Sequence, residues 1–322
     1  MANQSAISEF VLIGFPGLQQ SFHIPVSIAM FLIYSVSLVA NSLVLILIIL
    51  KRTLHHPMYI IIGNLAFSDA LFDTMTLPKI IAKYWFDAGS ISYYGCVFQL
   101  FCVHYLGTID SFIIMLMAID RYLAVCHPLR YHSIISNKLV VILCYLLWIV
   151  TIFIVCPVAI TTAQLPYCGP NAIRNCFCSN VSLTPLACAN NLFAVQLGYI
   201  IAMVVLLLPL AIIILSYILI IRAVHLLASE ENWQKTFYTC TTHLFVIALF
   251  YIPRVFVYTS AQLRLILNPD INVLLLCLYT FIPHAANPII YCLRTQEIKD
   301  ILRHTFHITF RIKIQQKSPG LQ

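Results

Sequence analysis

The chain has 322 residues, 61% of them hydrophobic and 9% charged, with a mean hydropathy of +0.93. A soluble domain carries roughly a quarter charged residues, so this composition argues against a water-soluble enzyme or binding module and points to a membrane. The formal net charge of +7 would suit nucleic acid, but the placement of the basic residues argues against that partner.

The tail 1–23 opens, from Met1 to Glu9, with no basic start followed by an apolar run, so no cleavable signal peptide is read there and the first span serves as insertion signal. Asn3-Gln4-Ser5 in this tail is a glycosylation sequon. A membrane-crossing helix needs about 20 mostly apolar residues. Seven stretches meet this, at 24–50, 58–82, 97–120, 139–161, 192–221, 238–263 and 271–293. The reading is an all-α membrane protein with a seven-helix transmembrane domain over 24–293. Connections are short except for one loop at 162–191, which holds a second sequon, Asn180-Val181-Ser182. After Arg294 the tail, 294–322, reads as a short amphipathic helix on the membrane, with Ile298, Ile301, Leu302 and Phe306 toward lipid and Lys299 and Arg303 toward headgroups.

Basic residues set the orientation. Thirteen of the 18 Lys and Arg fall on one side, from Lys51 and Arg52 to Lys313 and Lys317. The other five, Lys79, Lys83, Arg174, Arg254 and Arg264, belong to the opposite side and its halves of the spans. The C-terminus is therefore expected in the cytoplasm and the N-terminus outside, which an odd number of spans requires. Five of the twelve cysteines, Cys96, Cys168, Cys176, Cys178 and Cys188, fall on the expected outside, where disulfides form. Five is odd, so at least one stays unpaired, and spacing cannot choose the pairing.

Ionisable groups are costly in lipid, by about 2.5–3.5 kcal/mol each, so each one within a span is informative. Asp69 in span two, Asp110 in span three and Asn287 in span seven fit one wet interior site. That site would hold a sodium ion or a shared proton, or form an interhelical hydrogen-bond network without an ion. Arg254 lies ten residues before Arg264, roughly 15 Å into span six at 1.5 Å per residue, deeper than snorkelling rescues. It faces the interior, either as a ligand-contacting cation or paired with a carbonyl or an aromatic neighbour. Tyr251, Tyr258 and Gln262 share its helix face. His104, two turns into span three, is a satisfied interior histidine or a second ligand donor. Asp120-Arg121-Tyr122 closes span three, and Asn287-Pro288-Ile289-Ile290-Tyr291 closes span seven with a kinking proline. A transporter would more often show paired broken helices and internal symmetry, and those two motifs would have no role in a channel.

Leu54-His55-His56-Pro57-Met58-Tyr59, Met117-Ala118-Ile119-Asp120-Arg121-Tyr122, Ser216-Tyr217, Lys235-Thr236-Phe237-Tyr238-Thr239-Cys240 with His243, and Pro283 to Tyr291 follow in order. This set resembles the odorant receptors, a rhodopsin-like G-protein-coupled family, over nearly the whole chain. Ile119 stands where the family has tyrosine, and Thr236 where alanine is usual. Gly14-Phe15-Pro16-Gly17-Leu18, His104 and the long loop resemble its class I, fish-like branch.

The resemblance implies Cys96–Cys178 and Cys168–Cys188 disulfides, with Cys176 the odd thiol. It implies that Asp69 and Asp110 are sodium-linked acids, and that Tyr251 is a switch beneath the ligand. Class I receptors for fatty acids often carry an arginine eleven residues after that tyrosine; here the position is Gln262, and Arg254, two turns deeper, is the replacement. The expected function is sensing of a small polar or acidic odorant by His104, Arg254, Tyr258 and Gln262, with Thr108 and Tyr251 lining the floor. Binding would move span six, free Arg121 from Asp120 and bring Arg121 toward Tyr217. The opened face, with Asp120, Arg121, Tyr122, Tyr217, Lys235 and Tyr291, would engage a heterotrimeric G protein, by resemblance the stimulatory olfactory type, at the plasma membrane. A receptor for a non-odorant metabolite would share these motifs. No paired nucleophile and base, phosphate loop or metal-spaced His/Cys set is seen, so no enzyme is expected, and an allosteric sodium ion is the one candidate cofactor.

Overall fold

The computed structural model describes the backbone of residues 7–227, 230–263, 265, 268–294 and 298, and their side chains except at 226–243, 246 and 291–294. Seven long helices stand among these residues: α1 (His23–Leu50), α2 (Pro57–Phe86), α3 (Tyr93–Cys126), α4 (Asn137–Ala163), α5 (Leu192–Leu227), α6 (Glu230–Gln262) and α7 (Pro269–Arg294). Among the described residues all but α6 are long and apolar enough, by length and composition, to cross a membrane.

Local chemistry sets the helix starts. Pro57 opens α2, where its missing N–H costs nothing. Ser92 caps α3 by accepting from the Gly95 N–H at 3.1 Å, and Ser136 caps α4 by accepting from Leu139 at 3.2 Å. Consecutive helices pack as neighbours and α7 closes the ring onto α1, while α3 runs against α2, α4 and α5. Trp148 on α4 donates to Asn64 Oδ1 on α2 at 3.0 Å, and Gln99 on α3 donates to the Met75 carbonyl on α2 at 2.7 Å.

The distribution of side chains is that of a lipid-immersed bundle. Val39, Ile49 and Phe153 stand outward, 67%, 71% and 72% exposed, whereas Asp69, Asp110 and Arg254 are turned inward at 0%, 1% and 6%. Two apolar cores result. One, at the Asp-Arg-Tyr end, holds Leu54, Ile62, Met117, Tyr217 and Phe250; the other, at the disulfide end, holds Phe10, Phe72, Leu100, Phe177 and Val273. A buried polar layer separates them: on α2, Asp69 falls between Ala66 of the first core and Phe72 of the second.

A small sheet covers the disulfide end. β1 (Glu9–Leu12) pairs antiparallel with β2 (Ser90–Ser92) and parallel with β3 (Ala172–Ile173), in the order β2-β1-β3. Phe10 and Leu12 alternate inward from β1 and are fully buried, so part of the expected tail is packed structure.

Candidate functional site

Below the sheet, α3 to α7 and the long loop enclose a cavity of about 990 Å³ of empty space, part of it open to solvent. Four of the six expected ligand residues, His104, Thr108, Arg254 and Tyr258, line it. Gln262 and Tyr251 are not on its wall. Tyr251 lies fully buried beneath, its hydroxyl 2.9 Å from Ser111 Oγ and donating to the Ser111 carbonyl at 3.1 Å. The expectation that Tyr251 lines the cavity floor is therefore corrected: it is tied to α3 one layer deeper. Arg174, Asn272 and Thr280 line the wall although sequence reasoning did not select them. Arg174 reaches it because Cys178, four residues on, is joined to Cys96 at the top of α3.

Arg254 is buried, with Nη1 donating to the Gly107 carbonyl over a long 3.4 Å. Its guanidinium carbon stands 3.8 Å from the Phe250 ring centroid and 5.5 Å from that of Tyr279. A Cβ at Gly107 would come 3.3 Å from Nη1, so glycine there leaves the guanidinium its space. Among the described residues no carboxylate pairs with Arg254, and its Nε has no hydrogen-bond partner. The pairing with a carbonyl and aromatic rings is thus present, and it leaves the cation incompletely satisfied at a cavity wall without Asp or Glu. His104 Nε2 accepts from the Asn180 backbone N–H at 3.2 Å, which places the proton of its neutral ring on Nδ1.

Asn180 overturns one expectation. Its side chain is buried, and Nδ2 donates to Thr162 Oγ1 at 2.8 Å and to the Ala194 carbonyl at 3.3 Å. A glycan would be joined at that nitrogen, so this sequon reads as an amide stitching α4 to α5. Asn3, the other sequon, lies outside the described residues.

In the polar layer, Asn287 Nδ2 donates to Asp69 Oδ2 at 3.0 Å, and Asp110 stands close by. Two more groups join them. His284 Nδ1 is 2.8 Å from Asp73 Oδ1, while its Nε2 is 3.6 Å from Asp69 Oδ1 and 3.7 Å from Asp110 Oδ2. Ser37 donates to Asp73 Oδ2 at 2.5 Å, and Asn41 donates to the His284 carbonyl at 3.1 Å. Both missed groups had a signal: Asp73 is one turn from Asp69, and His284 precedes Asn287 by three residues on one helix face. A hard cation takes oxygen ligands, and the imidazole nitrogen stands between the two carboxylates that would supply them. With His284 in place these residues do not fit a sodium ion.

At the other end, Asp120 is buried and accepts from the Tyr131 hydroxyl at 2.7 Å. Burial, and after it this hydrogen bond to Asp120, raises the Tyr131 hydroxyl well above the ordinary phenol range. No Asp120–Arg121 ion pair stands among the described residues, and Arg121 Nε has no hydrogen-bond partner. The expected lock is therefore corrected to Asp120–Tyr131. Tyr217 is buried nearby in the same core as Tyr131 and Met117. The Lys235 and Tyr291 side chains, and the expected amphipathic helix apart from Ile298, lie outside the described residues.

The Cys96–Cys178 and Cys168–Cys188 bridges are both formed, with Cα separations of 5.5 and 5.9 Å. Cys176 is a free thiol, buried, with its sulfur 3.6 Å from that of Cys277 on α7.

A family model described as "Olfactory receptor" matches residues 30–308. The chain is 38% identical over 307 residues to olfactory receptor 56B34 of Mus musculus, covering 94% of each protein. It is 35% identical to olfactory receptor 52B2 of Homo sapiens, covering 92% of each. It is also 35% identical to olfactory receptor 1 of Rattus norvegicus, covering 94% of this chain and 96% of that one.

Proposed function

Because the chain belongs to the olfactory receptor family, whose members are rhodopsin-like seven-helix receptors and not enzymes, we propose that its ligand is a small acidic odorant. The family implies an odorant-sensing, G-protein-coupled protein that passes the plasma membrane several times. The finer reading rests on one observation: Arg254 is buried at the cavity wall with no carboxylate partner among the described residues. A buried cation without a counter-charge is costly, and an anionic ligand would supply one. Arg174 and His104 on the same wall support this, as does the apolar remainder, which suits a small organic acid.

In this reading the disulfide end faces outside and the Asp-Arg-Tyr end faces the cytoplasm. The ligand enters from the outer side and its carboxylate meets Arg254, with His104, Thr108 and Tyr258 around it. It shifts the receptor toward its active arrangement only by its differential affinity for it. Contraction around the anion draws α6 toward α3 at that end and swings its other end outward. Asp120 and Tyr131 then separate, Arg121 approaches Tyr217, and a stimulatory, olfactory-type G protein docks on the opened face.

The test uses Arg254→Leu and a cAMP readout with carboxylic acids and matched neutral analogues. A charge-assisted hydrogen bond contributes about 1.5–3 kcal/mol, so acids should lose roughly 10- to 150-fold in potency. Neutral analogues should be unchanged, which also shows that the variant folds and couples. Equal activation of both proteins by acids would overturn the reading.

A further inference from the structure

Cys176 lies in the loop two residues before Cys178, and Cys277 lies on α7 beside Leu276 of the cavity wall. Their sulfurs stand 3.6 Å apart, in contact, while a disulfide needs about 2.05 Å. Cys176 is fully buried and Cys277 half-buried. Both sit in the apolar core of the end where Cys96–Cys178 and Cys168–Cys188 are already oxidised. That end is therefore exposed to a disulfide-forming compartment.

We propose that Cys176 and Cys277 form a third disulfide, which ties the loop to α7 across the mouth of the cavity. Cys178 fastens the loop to α3, so Cys176-Phe177-Cys178 becomes a covalent strap between α3 and α7. Two residue steps reach about 7 Å, so the strap fixes the separation of the two helices at this end. Arg174, Asn175 and Phe177, which line the cavity from the loop, are held over it as a fixed lid.

The chemistry needs an oxidant of the disulfide class, as the two formed bridges did. The thiolate of Cys277, the less buried sulfur, attacks one sulfur of the oxidant's disulfide. The oxidant's S–S bond breaks, and a mixed disulfide remains on Cys277. The Cys176 thiolate then attacks Cys277 Sγ, the mixed bond breaks, and the oxidant leaves as a dithiol. Two electrons and two protons pass from the cysteines to the oxidant. The hydrogen bond with Cys277, and then burial, hold the Cys176 thiol well above its ordinary range in the packed structure. A protonated thiol is not the nucleophile, so each step passes through the minor thiolate form.

The experiment maps thiols in the full chain made in mammalian cells. The receptor is denatured without reductant, free thiols are blocked with iodoacetamide, and chymotrypsin cuts after Phe177 to separate Cys176 from Cys178. The expected product is a Cys176–Cys277 linked peptide that reductant abolishes. In Cys277→Ser the linked peptide should vanish and Cys176 should become alkylated, with Cys96–Cys178 and Cys168–Cys188 retained. Alkylation of both cysteines in the unsubstituted protein, or linkage of Cys277 to another cysteine, overturns the proposal. The unsubstituted protein alone decides it, so a variant that fails to fold leaves the answer intact.

Discussion

At the scale of single side chains, His284 places one nitrogen 2.8 Å from Asp73 and the other 3.6 and 3.7 Å from Asp69 and Asp110. The ring fills the space that a cation bound to the latter two acids would need. If so, sodium stabilises the receptor only when the ring is removed. In His284→Ala, replacing choline by sodium should raise the thermal midpoint, because a ligand at a hundred times its Kd stabilises the native state by about 2.7 kcal/mol. The unsubstituted receptor should show no difference between the two salts; an equal rise in both would place the ion elsewhere or show that it coexists with the ring. This layer was partly legible in the sequence, since a carboxylate inside a span must face a partner. Asp73 and His284 carried a helical-spacing signal, but which acid each group meets was not legible, because only packing brings α1, α2, α3 and α7 together there.

Element boundaries show the same division between local and tertiary signals. Hydropathy places span three at 97–120, whereas α3 runs over Tyr93–Cys126; it places span two at 58–82, whereas α2 runs over Pro57–Phe86. Hydropathy marks the length that meets lipid, whereas caps such as Ser92 and Pro57 decide where helices start. The sheet was not foreseen. β1 has four residues, and its partners Ile91 and Ala172 are distant in the chain, so no local pattern announces the pairing. Its contribution is testable at Val11, whose N–H donates to the Asn171 carbonyl at 2.8 Å while its neighbours Phe10 and Leu12 anchor the core. Proline there removes that donor. Val11→Pro should lower the thermal midpoint of the purified receptor by a few degrees, given about 1 kcal/mol per lost hydrogen bond. An unchanged midpoint would mean that the sheet covers the bundle without stabilising it.

Across the whole molecule, the cavity lies at one end, the Asp120–Tyr131 contact at the other, and the polar layer between two apolar cores. In the proposed mechanism a signal passing from the cavity to the Asp-Arg-Tyr end crosses that layer through groups that touch both α3 and α6. Tyr251 is such a group: it is off the cavity wall, sits in the Asp-Arg-Tyr core one turn before Arg254, and bonds Ser111 on α3. The bond holds α6 against α3 in the arrangement described. Tyr251→Phe removes only the hydroxyl, so the cavity keeps its shape while the two helices lose their tie. A net hydrogen bond contributes about 1 kcal/mol, which shifts a two-state equilibrium about fivefold. If the resting state depends on this tie, ligand-independent cAMP should rise by up to about that factor, while a competition assay with an acidic odorant detects no loss of affinity. Lost affinity with unchanged basal signalling would instead assign Tyr251 to ligand contact and return it to the cavity floor, where the sequence alone had put it.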